Sequence, residues 1–395
     1  MKVCIARNAE ARTNAAIARI AHALEPEVNG VCLLTRNRFL ERYGKIRKLK
    51  YKISDTGKEI PNYEMGLKSE PGKGIINIFQ LVLYQYLVFK WLISNQDKYD
   101  VIHAFDLDTG LPALLISIFT NKRYVYHIAD FYADSRGSIP KGLKKIIKKL
   151  EYMVIDRAET TIICTEKRAE QIKGSKPKKL VVIHNTPSIS RKFIEAIDEE
   201  KKTKKLNSEA VFTYVGALTE GRFINIVIDV IKRYPMITLN LAGMGRLSEY
   251  AKEAANEYPN INYYGMINYH DALKLYSQTD FMFAIYDPNV PNHKYCAPNK
   301  VYEAMALGKP IIVAKNTGID QIVSENNMGL IIEYSEEAFE QIIVQIINGT
   351  FNYSELAMNS RKAYTKYAWG EMKNRIKKIY KTLETTLSPS NDNLG

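Results

Sequence analysis

One stretch of this sequence gathers residues able to hold a phosphate. From position 296 it runs Cys-Ala-Pro298-Asn299-Lys300-Val301-Tyr302-Glu303-Ala-Met-Ala-Leu-Gly308-Lys-Pro310. Pro298 suits the first turn of a helix, where a missing N–H costs nothing, and Gly308 suits its end. The start of such a helix presents unbonded N–H groups and a positive dipole end to an anion. Lys300 adds a full charge there. Glu303, one turn on, carries a carboxylate of the kind that accepts two ribose hydroxyls in dinucleotide folds. Upstream, Gly216-Ala-Leu-Thr-Glu-Gly221-Arg222 follows an apolar run. Its glycines let backbone approach a phosphate, and Arg222 can fork onto the oxygens. Gly243-Met-Gly245-Arg246 repeats the device. Tyr264-Gly265-Met266-Ile267 follows the third run, where exposed backbone suits a base edge.

In the first half, His127-Ile-Ala-Asp130 ends an apolar run. His127 could hydrogen-bond a sugar or acceptor hydroxyl, and Asp130 could orient that hydroxyl. Each also has a plain alternative: a satisfied core histidine, and an aspartate capping a turn. His22 and His270 sit in helical patterns and read as structural, whereas His293 lies in a loop, 287–295, suited to a donor sugar. Asp106-Leu-Asp108 is an Asp-x-Asp pair, but it follows a first-half strand, away from the phosphate-binding stretch, so no metal is expected.

The elements that must position these groups alternate throughout. Apolar runs at 2–6, 29–34, 100–104, 123–128, 160–164 and 180–183 are separated by helical patterns, the βαβ signature of a parallel sheet. Residues 195–209 interrupt this with a charged run read as a linker. Alternation then resumes at 211–215, 236–241, 261–264, 281–285, 310–314 and 328–332. The expected class is α/β, with two doubly wound Rossmann-like domains facing each other across a cleft. Ligands of such sheets bind at the carboxyl ends of the strands. The expected plan is 1–194, linker 195–209, 210–368, a helix over 369–387 packing back towards the first domain, and a tail at 388–395.

The 395 residues carry 56 Lys and Arg against 43 Asp and Glu, a formal charge of +13. The first 190 residues hold 32 basic and 19 acidic side chains and the remainder 24 of each. The entire excess thus belongs to the first half, which should face something anionic. Two stretches bear on membranes. Residues 75–93 are apolar apart from Lys90 and scattered amides, fitting a core helix, an interfacial one or a span. In 141–155, Leu143, Ile146, Ile147, Leu150, Met153 and Val154 share an arc of roughly 120°, opposite Lys141, Lys144, Lys145, Lys148 and Lys149. That pattern suits a solvated surface helix or an anionic lipid surface. No zinc-finger, RNP-like or helix-turn-helix pattern accompanies the charge, so no nucleic acid is expected. The four cysteines are unpaired in spacing, and Arg7 follows the first strand too soon for a signal peptide. A cytoplasmic protein, peripherally held at the inner face of the plasma membrane, is expected.

Taken in order, Gly216-x-Leu…Arg222, Leu241-Ala-Gly-Met-Gly, Tyr264-Gly and Pro298-Asn-Lys-x-x-Glu303-Ala-x-Ala-x-Gly308-Lys-Pro310 resemble the group 1 (family 4) glycosyltransferases, with their two-domain GT-B fold. Val182-Ile-His-Asn185-Thr-Pro and His127-x-x-Asp130-Phe-Tyr-x-Asp134 extend the resemblance more loosely into the first half. It implies a nucleotide-sugar donor held by the second domain and an acceptor held by the first. It also implies retention of anomeric configuration, with no cofactor and no required metal. Glu303 then matches the ribose-binding second Glu of the family's Glu-x₇-Glu motif, Arg222 the diphosphate-neutralising residue, and Lys300 the Lys of a Pro-x-Lys-x-x-Glu subgroup. UDP-sugar is the favoured donor. The charge excess adds a lipid-linked glycan acceptor, as in capsule or lipopolysaccharide assembly, at an anionic membrane surface. Three departures stand out. Tyr295 replaces the first motif Glu, Ala217 stands where Arg is common, and the first strand lacks the usual glycine pair. The rival readings are a nucleotide-sugar 2-epimerase on a similar fold and a non-catalytic partner of a transferase.

Overall fold

The computed structural model describes residues 1–39, 45–53, 56–68, 74–135, 139–190, 192–196 and 209–387. Apart from its edges, the expected linker lies outside the described residues, as does the expected tail. The chain divides into two compact units: Met1–His184 joined by the residues from Gly370 on, and Asn185–Trp369.

The first unit is built on eight strands: β1 (Lys2–Ala6), β2 (Gly30–Asn37), β3 (Ile46–Lys52), β4 (Glu59–Gly66), β5 (Val101–Phe105), β6 (Arg123–Ile128), β7 (Thr160–Ile163) and β8 (Leu180–Val182). Their order is β3-β4-β2-β1-β5-β6-β7-β8, parallel except where β3 runs against β4. The β3–β4 pair is absent from the expected alternation. β3 is an edge strand, IRKLKYK, exposed at most of its positions, so it carries no apolar period. β1 lies between β2 and β5, so successive crossovers leave it in opposite directions. A crevice opens at such a switch point, outside the carboxyl ends of the strands.

Residues 370–387 are part of this unit. Tyr380 is buried there, Arg375 donates to the Val182 carbonyl at 2.9 Å, and Lys377 pairs with Glu27 at 2.7 Å. The apolar stretch of the first half forms the helix Gly74–Ser94. Tyr84, Val88, Trp91 and Leu92 are buried, while Phe79, Val82 and Tyr86 are exposed. Among the described residues, no helix is long and apolar enough to cross a membrane.

The second unit contains β9 (Ala210–Val215), β10 (Ile237–Ala242), β11 (Ile261–Tyr263), β12 (Phe281–Ala284), β13 (Ile311–Ala314) and β14 (Gly329–Ile332). They pair in the order β11-β10-β9-β12-β13-β14, all parallel. β12 and β13 are buried at every position, as strands covered by helices on both faces must be. The switch point falls between β9 and β12, which sets the loop carrying Arg222 beside the one leading to Lys300.

Candidate active site

Three glycine turns at the ends of β9, β10 and β11 are stitched together. Gly216 donates its N–H to the Ala242 carbonyl at 2.9 Å, and Gly243 donates to the Gly265 carbonyl at 2.7 Å. Glycine is obligatory at 243, where φ is +126° and a Cβ would come within 1.9 Å of the Gly216 carbonyl oxygen. Gly245 is equally confined, since a Cβ there would lie 2.1 Å from the Leu218 carbonyl oxygen. At the rim, Met266 is exposed, Ile267 half-buried and Gly265 open around its α-carbon.

The helix beginning in the 296–310 stretch is Asn299–Leu307, with Pro298 at its N-cap and Gly308, at φ +56°, closing it. Val301 and Glu303 are buried, and Lys300 and Asn299 are half-buried at its open end. The Lys300 ammonium lies 4.2 Å from the centre of the Tyr214 ring, and a Cβ on Gly216 would come within 2.9 Å of it. Lys300 therefore reaches the first glycine turn. The Arg222 guanidinium stacks 4.0 Å above Tyr286. Arg222 ends a single 3₁₀ turn, Glu220–Arg222, and is followed by Phe223 in the left-handed region, φ +64°, with its ring buried. A non-glycine residue held there is strained, and such strain concentrates at functional sites.

Burial opposes the charge on both cations, but the facing Tyr214 and Tyr286 more than offset it. Arg222 and Lys300 are each held above their ordinary pKa and stay cationic. Tyr286 also faces His293 at 5.3 Å, and His293 Nδ1 lies 2.9 Å from the Asp287 carbonyl. Tyr295, in the same 3₁₀ segment Pro291–Tyr295, is half-buried. Asn185 donates to the Ala297 carbonyl at 2.9 Å, pinning the approach to Pro298. The second unit thus brings together two fixed cations, a helix start and a buried carboxylate, which can stabilise a departing diphosphate without reorganising. Tyr214 and Tyr286 were not legible as site residues, because buried strand-end tyrosines carry no motif.

In the first unit, Asp130 and His127 take different places. Asp130 lines a cavity of about 550 Å³ with Arg7, Arg36, Arg38, Asp106 and Asp108, at the carboxyl ends of β1, β2, β5 and β6. His127 lies beneath, 5% exposed, its ring stacked on Phe105 at 4.4 Å. Its Nδ1 is 3.1 Å from Nε2 of His103, whose Nδ1 is 2.7 Å from the Tyr380 hydroxyl. Burial, with Arg7 adding to it, pushes His103 down to about 3, and burial and His103 hold His127 well below its usual range. Both rings are neutral, so one proton order runs through the chain and sets which tautomer His127 adopts. Asp106 has positive φ, +53°, and its Oδ1 accepts the N–H groups of Ala129 and Asp130 at 2.8 and 3.0 Å. It positions the loop that carries Asp130. Burial raises its carboxyl to about 6, against the lowering pull of Arg7.

Residues 209–349 match the family model for "Glycosyl transferases group 1". The O-antigen biosynthesis glycosyltransferase WbnH of Escherichia coli is 22% identical over 275 residues, 68% of this chain and 73% of that protein. Over residues 209–349 the chain is similar to the group 1 glycosyltransferases. Its fold is GT-B. Sucrose-phosphate synthase from Thermosynechococcus elongatus superposes with a TM-score of 0.73 at 14% identity, over 98% of this chain and 100% of that one. Anabaena Alr3699/HepE, solved in complex with UDP-glucose, gives 0.66 at 17% identity over the same shares. The glycine turns and the Pro298–Glu303 helix of this glycosyltransferase all lie within the matched segment.

Proposed function

We propose that this glycosyltransferase is a retaining, metal-independent enzyme that transfers a sugar from UDP to a lipid-linked glycan during surface-polysaccharide assembly. The observation that carries this reading is the placement of Arg222 and Lys300 over Tyr286 and Tyr214 at the switch point of the second sheet. In the reaction, the bond from the anomeric carbon to the diphosphate breaks and the diphosphate keeps the electron pair. The acceptor hydroxyl forms the new bond on the same face, and its proton passes to a departing phosphate oxygen. Arg222 and Lys300 hold the charge that develops, and Glu303 takes the ribose. WbnH is named for O-antigen biosynthesis and HepE was solved with UDP-glucose, which favours this acceptor class and this base.

A thermal-shift panel of UDP, GDP, ADP and CMP with their common sugars, with and without EDTA, tests it. UDP at about 100 times its Kd adds about 2.7 kcal/mol and raises Tm by a few degrees. The expected result is a shift with UDP that EDTA leaves intact and Glu303→Ala reduces. A shift that EDTA abolishes would overturn metal independence, and a UDP-sugar epimerised without acceptor would favour the 2-epimerase.

Membrane docking is the second part of the reading. The helices Gly74–Ser94, Asp106–Phe119 and Lys141–Arg157 pack side by side in that order. They leave Phe79, Val82, Phe119, Ile146 and Met153 exposed, with Lys141, Lys145 and Lys149 exposed on the last of them. Each Lys near an anionic bilayer is worth about 1 kcal/mol. Co-sedimentation with phosphatidylglycerol vesicles, lost in Lys145→Glu/Lys149→Glu and absent with phosphatidylcholine alone, is the expected outcome. Equal recovery on both lipids would remove the electrostatic contribution.

A further inference from the structure

Two guanidinium nitrogens of residues lining the 550 Å³ cavity of the first unit lack a partner among the described residues. Arg36 is 3% exposed; its Nε donates to the Leu67 carbonyl at 3.0 Å and its Nη1 to Asn8 Oδ1 at 3.3 Å. Its Nη2 is buried and has no partner among the described residues, and the same is true of Arg7 Nη1. A buried charged donor left unsatisfied costs a folded protein substantially, so such atoms persist where a ligand completes them. The two guanidiniums are braced for the purpose. Arg7 lies 4.3 Å above the Phe105 ring and Arg36 5.5 Å from the centre of Tyr84. Arg38, on the same strand end, donates to the Asn8 carbonyl at 3.2 Å and lines the same cavity.

Guanidiniums converging from two different strand ends match a tetrahedral oxyanion better than a planar carboxylate, which one Arg saturates with its own fork. Of the four carboxylates lining the cavity, Asp108 accepts from Asn8 through Oδ2 at 2.8 Å and Asp106 holds the Asp130 loop, while Glu10 and Asp130 line it as well. We propose that this cavity binds a phosphoryl group carried by the acceptor, with Arg7 and Arg36 as its ligands, Arg38 at the mouth and Asp130 facing the acceptor's hydroxyls. The assignment rests on the reading that the first unit holds the acceptor.

Calorimetric titration with inorganic phosphate tests it on the wild type, Arg36→Gln, Arg38→Ala and Arg222→Ala. The expected result is a phosphate site retained in Arg222→Ala and weakened about tenfold in Arg36→Gln and several-fold in Arg38→Ala. Arg38 is exposed, so its variant remains informative if Arg36→Gln does not fold. Phosphate affinity equal to wild type in both first-unit variants, or lost in Arg222→Ala alone, would overturn the proposal. A parallel UDP titration separates the two readings, since failure of UDP to bind would sink the donor assignment while leaving the phosphate result standing. Competition then names the source. Displacement by a hexose 1-phosphate indicates a soluble sugar phosphate, displacement by farnesyl diphosphate a lipid-linked one, and either supports the site. Displacement by galacturonate with both phosphates inert would overturn it.

Discussion

Lys300→Met is expected to lower donor turnover by about 10²–10³-fold with only a modest fall in Tm. Removing one preorganised electrostatic donor from a transition state typically costs that much in kcat. The Lys300 ammonium sits where burial opposes its charge, held by the ring of Tyr214 at 4.2 Å and reaching the Gly216 turn. A methionine fills similar volume without the charge, so packing is kept and only the net stabilisation of the cation by its surroundings is lost. The effect should fall mainly on kcat, because the diphosphate gains charge as the anomeric bond breaks. Arg222→Met should resemble it, and the double variant should lose less than the product of the two, since both act on one leaving group. Turnover of the UDP-sugar selected by the thermal-shift panel is the readout. Turnover within twofold of wild type, in a protein that still binds UDP, would remove Lys300 from the chemistry.

The second large effect is on stability in acid. His103 and His127 are buried and neutral, with His103 held at about 3 against an ordinary 6.5. The unfolded chain takes up a proton on each below pH 6.5 and the folded chain does not. Their contribution is therefore complete above 6.5 and is lost as pH falls through 6.5 towards 3. Each unit of displacement is worth about 1.4 kcal/mol, so His103 alone accounts for several kcal/mol over that window. Asp106, raised to about 6, and Glu151, raised to about 8 by burial, act with the opposite sign: their folded forms keep the proton, and stability is gained as pH falls through those values. Urea unfolding of wild type and His103→Phe at pH 7.5, 6.0 and 5.0 isolates the histidine. The variant should show the shallower loss between 6.5 and 5.0, and parallel curves would refute the assignment.

The elements of the second unit's candidate site were legible because they are written locally. Pro298 through Gly308 is one helix with its cap and stop, and each glycine turn sits directly after its strand. The first unit was legible as a parallel sheet, but its cavity was not. Arg7, Arg36, Asp106 and Asp130 come from four strand ends that only the order β2-β1-β5-β6 brings together. Asp106 and Asp108, an Asp-x-Asp pair read from the sequence as no metal site, part company in the fold: one secures a loop and the other accepts from Asn8. His127 was chosen as a strand-end residue, yet its partners, His103 and through it Tyr380, lie on a neighbouring strand and 277 residues away from His103. No periodicity records such pairs.

The first unit is discontinuous along the chain, and that orders its maturation. Residues 185–369 form an unbroken run and can complete their core as soon as they leave the ribosome, whereas residues 1–184 must wait for 370–387. Until then the His103 ring lacks the Tyr380 hydroxyl, the Val182 carbonyl lacks Arg375, and Glu27 lacks Lys377. Nascent chains halted short of residue 370 should thus carry a finished second unit beside an unfinished sheet, a state that chaperones would meet and the mature enzyme never shows.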